Sequence, residues 1–173
     1  MKNITLIGMP GCGKSTIGVL LAKTLGADFV DTDLMIQKRE GALLQQILDS
    51  RGLAAFLRAE ESAILSLSCT GTVIATGGSA VYSSAAMTHL LRESIVIYLK
   101  LPFPEIMSRL SNIATRGIAI PFGMSMADVY AERIPLYEKY AAITLDCSGK
   151  TAEETVTALL PLLAAAEKEV AIQ

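Results

Sequence analysis

Short apolar runs, separated by longer stretches of helical periodicity, set the pattern of this chain. Aliphatic and β-branched residues cluster at 4–7, 29–30, 73–75, 95–99 and 143–145. Between them the spacing of apolar positions predicts helices over 15–25, 34–49, 54–68, 85–92, 104–110, 126–140 and 152–169. Short strands alternating with helices give an α/β fold, a parallel sheet with helices on both faces. Ile95-Val96-Ile97-Tyr98-Leu99 is apolar at every position rather than at every second one, which fits a strand covered on both sides. No repeat, low-complexity run or linker divides the 173 residues, so one domain over 1–173 is expected. In such sheets ligands gather beyond the carboxyl ends of the strands, and the residues that follow each strand carry the chemistry.

The first strand runs into Gly8-Met9-Pro10-Gly11-Cys12-Gly13-Lys14-Ser15-Thr16, which opens the first helix. Strand, glycine-rich turn and helix are the context that the G-x-x-x-x-G-K-[ST] pattern requires. Glycines permit positive φ, so successive N–H groups can turn inward around phosphate oxygens. The helix N-terminus adds about half a positive charge. The stretch predicts a nucleoside triphosphate site built from Gly11, Cys12, Gly13, Lys14, Ser15 and Thr16. Lys14 would reach the β- and γ-phosphates, and the Ser15 hydroxyl would take a place on Mg2+.

After the second strand comes Asp31-Thr32-Asp33. Alternation along an extended segment would send both carboxylates the same way, where they can hold Mg2+ through water or accept a proton from an attacking hydroxyl. The competing reading makes Asp33 the cap of the helix that starts at Leu34. After the third strand, Gly77 and Gly78 allow close approach to a ligand, with Ser79 as an alternative helix cap. The loop from Ser111 to Gly123 is long for a compact domain and suits an active-site lid over residues 111–125, from which Arg116 can close on the transferring phosphoryl group. Arg133 lies two residues before Pro135 in a helical pattern, and proline inside a helix costs about 3 kcal/mol, so a kink that aims Arg133 is expected. Arg58 and Glu61, three apart, can pair on one helical face.

Composition narrows the partners. The formal net charge of -2 argues against a general nucleic-acid surface. Cys12, Cys69 and Cys147 are odd in number and widely spaced, which fits reduced cysteines in a cytoplasmic protein rather than a disulfide framework or zinc site. No apolar stretch is long enough for a membrane span and no signal peptide is evident. Monomer is the default expectation.

Taken together, these stretches resemble the shikimate kinase family, small P-loop kinases related to nucleoside monophosphate kinases. The resemblance rests on the phosphate loop, Asp31-Thr32-Asp33, Gly77-Gly78, Arg116, and Glu132-Arg133 with Pro135-Leu136-Tyr137. It implies a three-layer fold with a five-stranded parallel sheet, a substrate-binding helical region over 34–68, a mobile lid, and MgATP-dependent phosphorylation of shikimate. By that resemblance Asp31 holds Mg2+, Asp33 binds the acceptor hydroxyl, Arg116 meets the phosphates, Arg109 the adenine, and Arg133 the acceptor carboxylate. Three segments depart from it. The family's G-E-x-x-F-R-x-x-E segment has Leu53 and Leu57 at its acid and arginine, with Arg58 one residue late, a rotation of about 100° on a helix. A third glycine after the third strand is Ser79, and Gly117-Ile118 follows Arg116 where the family has proline and leucines. Either Arg58 still faces inward or the carboxylate grip has changed. A kinase acting on another small alcohol, such as a gluconate-like sugar acid, and a non-catalytic ATP-binding homologue are the alternatives.

Overall fold

The computed structural model describes residues 2–110 and 117–171. In chain order the elements are β1 (Asn3–Ile7), α1 (Lys14–Leu25), β2 (Asp28–Asp31), α2 (Thr32–Glu40), α3 (Leu44–Leu65), β3 (Thr72–Ala75), a 3-10 turn (Ala80–Tyr82), α4 (Ser84–Glu93), β4 (Ser94–Lys100), α5 (Phe103–Leu110), α6 (Met126–Tyr140), β5 (Ile143–Asp146) and α7 (Ala152–Ala171). The five strands form one parallel sheet in the order β2-β3-β1-β4-β5.

Strand burial follows that order. β1 is buried at every position and β4 at all but its last, as the continuous apolar runs require of strands covered on both faces. The edge strands β2 and β5 are only partly covered. Right-handed crossovers put the first connection on one face and the later ones on the other. Accordingly α1 packs with α7, while α3 packs with α4.

The main core gathers aliphatic side chains from β1, β3 and β4 with α1, α4 and α7. A second, smaller cluster, Ile36, Leu44, Ile47, Phe56, Ala63 and Ala119, joins α2 and α3 to the chain after residue 117. That satellite forms a wall standing over the carboxyl ends of β2 and β3.

The helix expected over 34–49 is two helices. α2 ends at Gly41, whose φ of 64° is open to glycine at little cost, and α3 begins at Leu44. The break expected before residue 54 is present within α3 as a kink at Gly52, whose φ of 76° and ψ of 170° separate two helical halves.

Candidate active site

The turn between β1 and α1 is shaped by its glycines. Gly8 has φ 146°, and a Cβ there would stand 2.8 Å from the Leu99 carbonyl oxygen and 2.9 Å from the Cys12 sulfur. Gly13, at φ 98°, is the N-cap of α1, and no side chain caps the helix. The first N–H groups of α1 are thus left to an anion. Lys14 is 7% exposed and donates from Nζ to the carbonyls of Gly8 (2.8 Å) and Met9 (2.9 Å). Among the described residues it forms no ion pair. A buried ammonium held by two carbonyl dipoles and, at 3.7 Å, the Cys12 sulfur suits an incoming phosphate.

Not every residue of the motif faces that space. Cys12 turns into the core, fully buried, and its backbone N–H donates to the Met9 carbonyl. Thr16 is exposed on α1 and does not line the cavity. Arg109 lies against the turn, its Nη1 4.0 Å from where a Cβ on Gly13 would stand. There it can cover a nucleotide base, while its Nη2 lies 3.8 Å from Glu105.

Asp31 and Asp33 meet by a different geometry from the one expected. Asp31 ends β2 and is itself the N-cap of α2, its Oδ1 accepting from the N–H groups of Asp33 and Leu34. Asp33 therefore sits in the first helical turn, not in a strand and not as the cap. Both carboxylates still line the same cavity. The Ser15 hydroxyl donates to Asp31 Oδ2 at 2.6 Å. This hydroxyl–carboxylate pair at the phosphate turn offers the oxygen donors that Mg2+ prefers. The described residues hold no group of three metal-ligating side chains, so the pair suits an ion that keeps water and phosphate oxygens as its remaining ligands.

The end of β3 brings in a residue that the sequence reading passed over. Glu60 of α3 is 2% exposed, and its Oε2 accepts a 2.6 Å hydrogen bond from Ser79 Oγ. Its Oε1 has no hydrogen-bond partner. Burial pushes this carboxyl up to about 7; Ser79 pulls it down, the Asp33 charge raises it, and Arg133 and Lys14 lower it. Gly77 is required here, because a Cβ on it would stand 2.0 Å from Glu60 Oε1 and 2.9 Å from Asp33 Oδ1. The Gly77 N–H donates to Thr32 Oγ1 and is not turned toward a ligand.

Arg133 is fully buried on α6, which continues through Pro135. Its aim comes from partners rather than from the proline. Nε donates to the Tyr82 hydroxyl (3.2 Å), Nη2 to the Ala119 carbonyl (2.6 Å), and the guanidinium lies over the Tyr82 ring. Nη1 is left without a partner. Tyr137, one turn on, donates to the Gly78 carbonyl at 2.6 Å and ties α6 to the turn after β3.

One cavity of about 480 Å³ is lined by Gly11, Gly13, Lys14, Ser15, Asp31, Asp33, Glu60, Gly77, Gly78, Ser79 and Arg133, with Leu34, Leu43, Leu44 and Phe56 as an apolar wall. Arg58 is not among them. It is exposed and lines a separate small hollow with Leu57 and Tyr82, and Glu61 accepts from Ser83 rather than pairing with it. Two positions separate Arg58 from both Phe56 and Glu60, which puts it on nearly the opposite side of the helix. Arg116 lies outside the described residues; Gly117, Ile118 and Ala119 after it line the cavity.

A family model described as shikimate kinase matches residues 10–164. This chain belongs to the shikimate kinase family. It is 36% identical over 165 residues to the shikimate kinase of Thiobacillus denitrificans, covering 93% of this chain and 87% of that one. With the shikimate kinase of Pasteurella multocida it shares 37% over 166 residues, 94% and 95% of the two chains. Among solved structures, shikimate kinase from Acinetobacter baumannii in complex with shikimate superposes with a TM-score of 0.88 at 28% identity, covering 96% of this chain and 94% of that one. The Aquifex aeolicus shikimate kinase gives 0.80 at 30% identity, over 95% and 98%. A gluconokinase from Sinorhizobium meliloti, 16% identical with a TM-score of 0.54, shares the fold alone. The five-stranded parallel sheet is thus the P-loop kinase fold of this family.

Proposed function

We propose that this member of the shikimate kinase family transfers the γ-phosphoryl group of ATP to the 3-hydroxyl of shikimate. The observation that carries the reading is that Lys14, Asp33 and the buried Arg133 line one cavity together with the phosphate turn.

The uncapped N-terminus of α1 and Lys14 hold the phosphates. Arg133 Nη1 takes the acceptor carboxylate, which fixes the ring and turns a hydroxyl toward the phosphate turn. Asp33 orients that hydroxyl and accepts its proton as the oxygen bonds to phosphorus and the bridging bond to ADP breaks. Ser15 and Asp31 would hold Mg2+, which supplies charge neutralisation at the β- and γ-oxygens. Arg109 covers the base, and the family resemblance assigns Arg116 to the phosphates. With little covalent work left to the protein, positioning and electrostatics carry the rate.

Steady-state ADP release tests this. Shikimate should stimulate it strongly, and Lys14→Ala or Asp33→Ala should each lower kcat/KM by roughly a hundredfold or more. Turnover that survives either change removes the assignment.

A further inference from the structure

Ser79 stands where the family pattern has glycine, and Leu57 where it has arginine. The carboxyl of Glu60, 2% exposed, consequently meets no guanidinium from α3; Arg58 faces solvent, and no ion pair among the described residues includes Glu60. What meets it is the Ser79 hydroxyl, 2.6 Å from Oε2. Of the two carboxyl oxygens only Oε1 is then left over. It is buried and lacks a hydrogen-bond partner, and Glu60 lines the cavity together with Gly77 and Asp33.

A deeply buried carboxyl oxygen with no donor is costly, and a bound molecule that supplies one recovers that cost. We propose that Ser79 is a positioning residue that turns Glu60 so that Oε1 accepts a hydrogen bond from a hydroxyl group of the acceptor. The bound acid is then held at two points, a carboxylate on Arg133 and a hydroxyl on Glu60, with the reacting hydroxyl at Asp33. This rests on the kinase reading above and adds what selects the acceptor: a small acid lacking a hydroxyl in reach of Glu60 leaves Oε1 unsatisfied and binds poorly.

The groups facing Glu60 are Ser79 from the turn after β3, Asp33 from α2, Arg133 from α6 and Lys14 from α1. Its carboxyl is pushed up to about 7 by burial, so the ionised, better-accepting form is lost as pH falls below that value. Acceptor KM should therefore rise on the acid side. Removing the Ser79 donor raises the carboxyl further, because a hydrogen bond to the charged form favours it, and moves the inflection to higher pH.

The test is the pH dependence of the acceptor KM, measured with shikimate and saturating MgATP for the native chain, Ser79→Ala, Ser79→Thr and Glu60→Gln. In Ser79→Ala the KM at pH 7 should rise roughly tenfold, more than kcat falls, and its inflection should move to higher pH. Ser79→Thr, which keeps the hydroxyl, should restore both, and Glu60→Gln should abolish the inflection. An unchanged KM and inflection in Ser79→Ala overturns the proposal while leaving the kinase reading intact; no shikimate-dependent turnover in the native chain overturns the kinase reading itself. Should Ser79→Ala fold poorly, shikimate titration calorimetry on Ser79→Gly at pH 6 and 8 decides the same point, an affinity equal to that of the native chain at both values counting against it.

Discussion

The ring of Tyr82 lies beneath the guanidinium of Arg133, with Cζ 5.0 Å from the ring centroid and Nε 3.2 Å from the phenol oxygen. A stacked aromatic face and a hydrogen bond to Nε, with the Ala119 carbonyl on Nη2, leave Nη1, 3.2 Å from where a Cβ on Gly78 would stand, as the guanidinium nitrogen without a partner. Tyr82→Phe keeps the ring and removes the hydrogen bond. It should raise the acceptor KM roughly three- to tenfold and leave the KM for ATP unchanged. A matching rise in both constants would mean that Tyr82 supports the fold rather than the berth.

Ser15 and Asp31 form a hydrogen-bonded pair at the phosphate turn. Asp31 also caps α2, and asparagine caps a helix about as well as aspartate. Asp31→Asn should therefore melt at nearly the native temperature while needing roughly ten- to a hundredfold more Mg2+ for half-maximal rate. Titration of Mg2+ at fixed ATP reads this directly. An unaltered Mg2+ requirement would remove Asp31 from the metal site.

Steric reasoning makes Gly77 the least replaceable residue on the acceptor side. A methyl group there would enter the space occupied by Glu60 Oε1 and crowd Asp33. Gly77→Ala should lower kcat/KM for the acceptor by roughly a hundredfold, the cost of a misplaced reacting group, while ADP still binds. Calorimetry with ADP and circular dichroism separate this from unfolding. Acceptor kinetics close to native in Gly77→Ala would show that Glu60 and Asp33 tolerate displacement.

The buried carboxyl of Glu60 makes the free protein less stable toward neutral pH. Below about pH 4.5 both folded and unfolded states hold the proton, and the burial penalty is absent. As pH climbs toward 7 the unfolded chain releases that proton first, so folding loses up to roughly 3 kcal/mol from this group. Glu60→Gln removes that slope. Relative to the native chain, its melting temperature should be higher at pH 8 than at pH 5, measured without ligands. Parallel melting curves at the two pH values would contradict the assignment.

Much of the fold was legible because each strand is a short apolar run and the phosphate turn carries its own punctuation. The bounds of α6 match the periodicity, and β4 extends its run by only one residue at each end. The sequence failed where local rules compete. Gly41 is the break that the periodicity over 34–49 hides, ending α2 before α3 begins at Leu44. Asp31 rather than Asp33 became the cap, since β2 extends one residue farther than its apolar pair suggests. Glu60 was the instructive omission. Phe56, Glu60, Ala63 and Ile64 share the buried stripe of α3, and a carboxyl on an apolar stripe is itself a signal. The aim of Arg133 was not readable at all, because Tyr82 and Ala119 come from distant parts of the chain.

The most direct measurement is phosphorus NMR of shikimate incubated with MgATP and catalytic amounts of the protein. A phosphate monoester signal coupled to the C3 proton, growing in step with ADP, is the expected result. ATP left intact, or hydrolysed to inorganic phosphate with no ester formed, would contradict phosphoryl transfer to this acid.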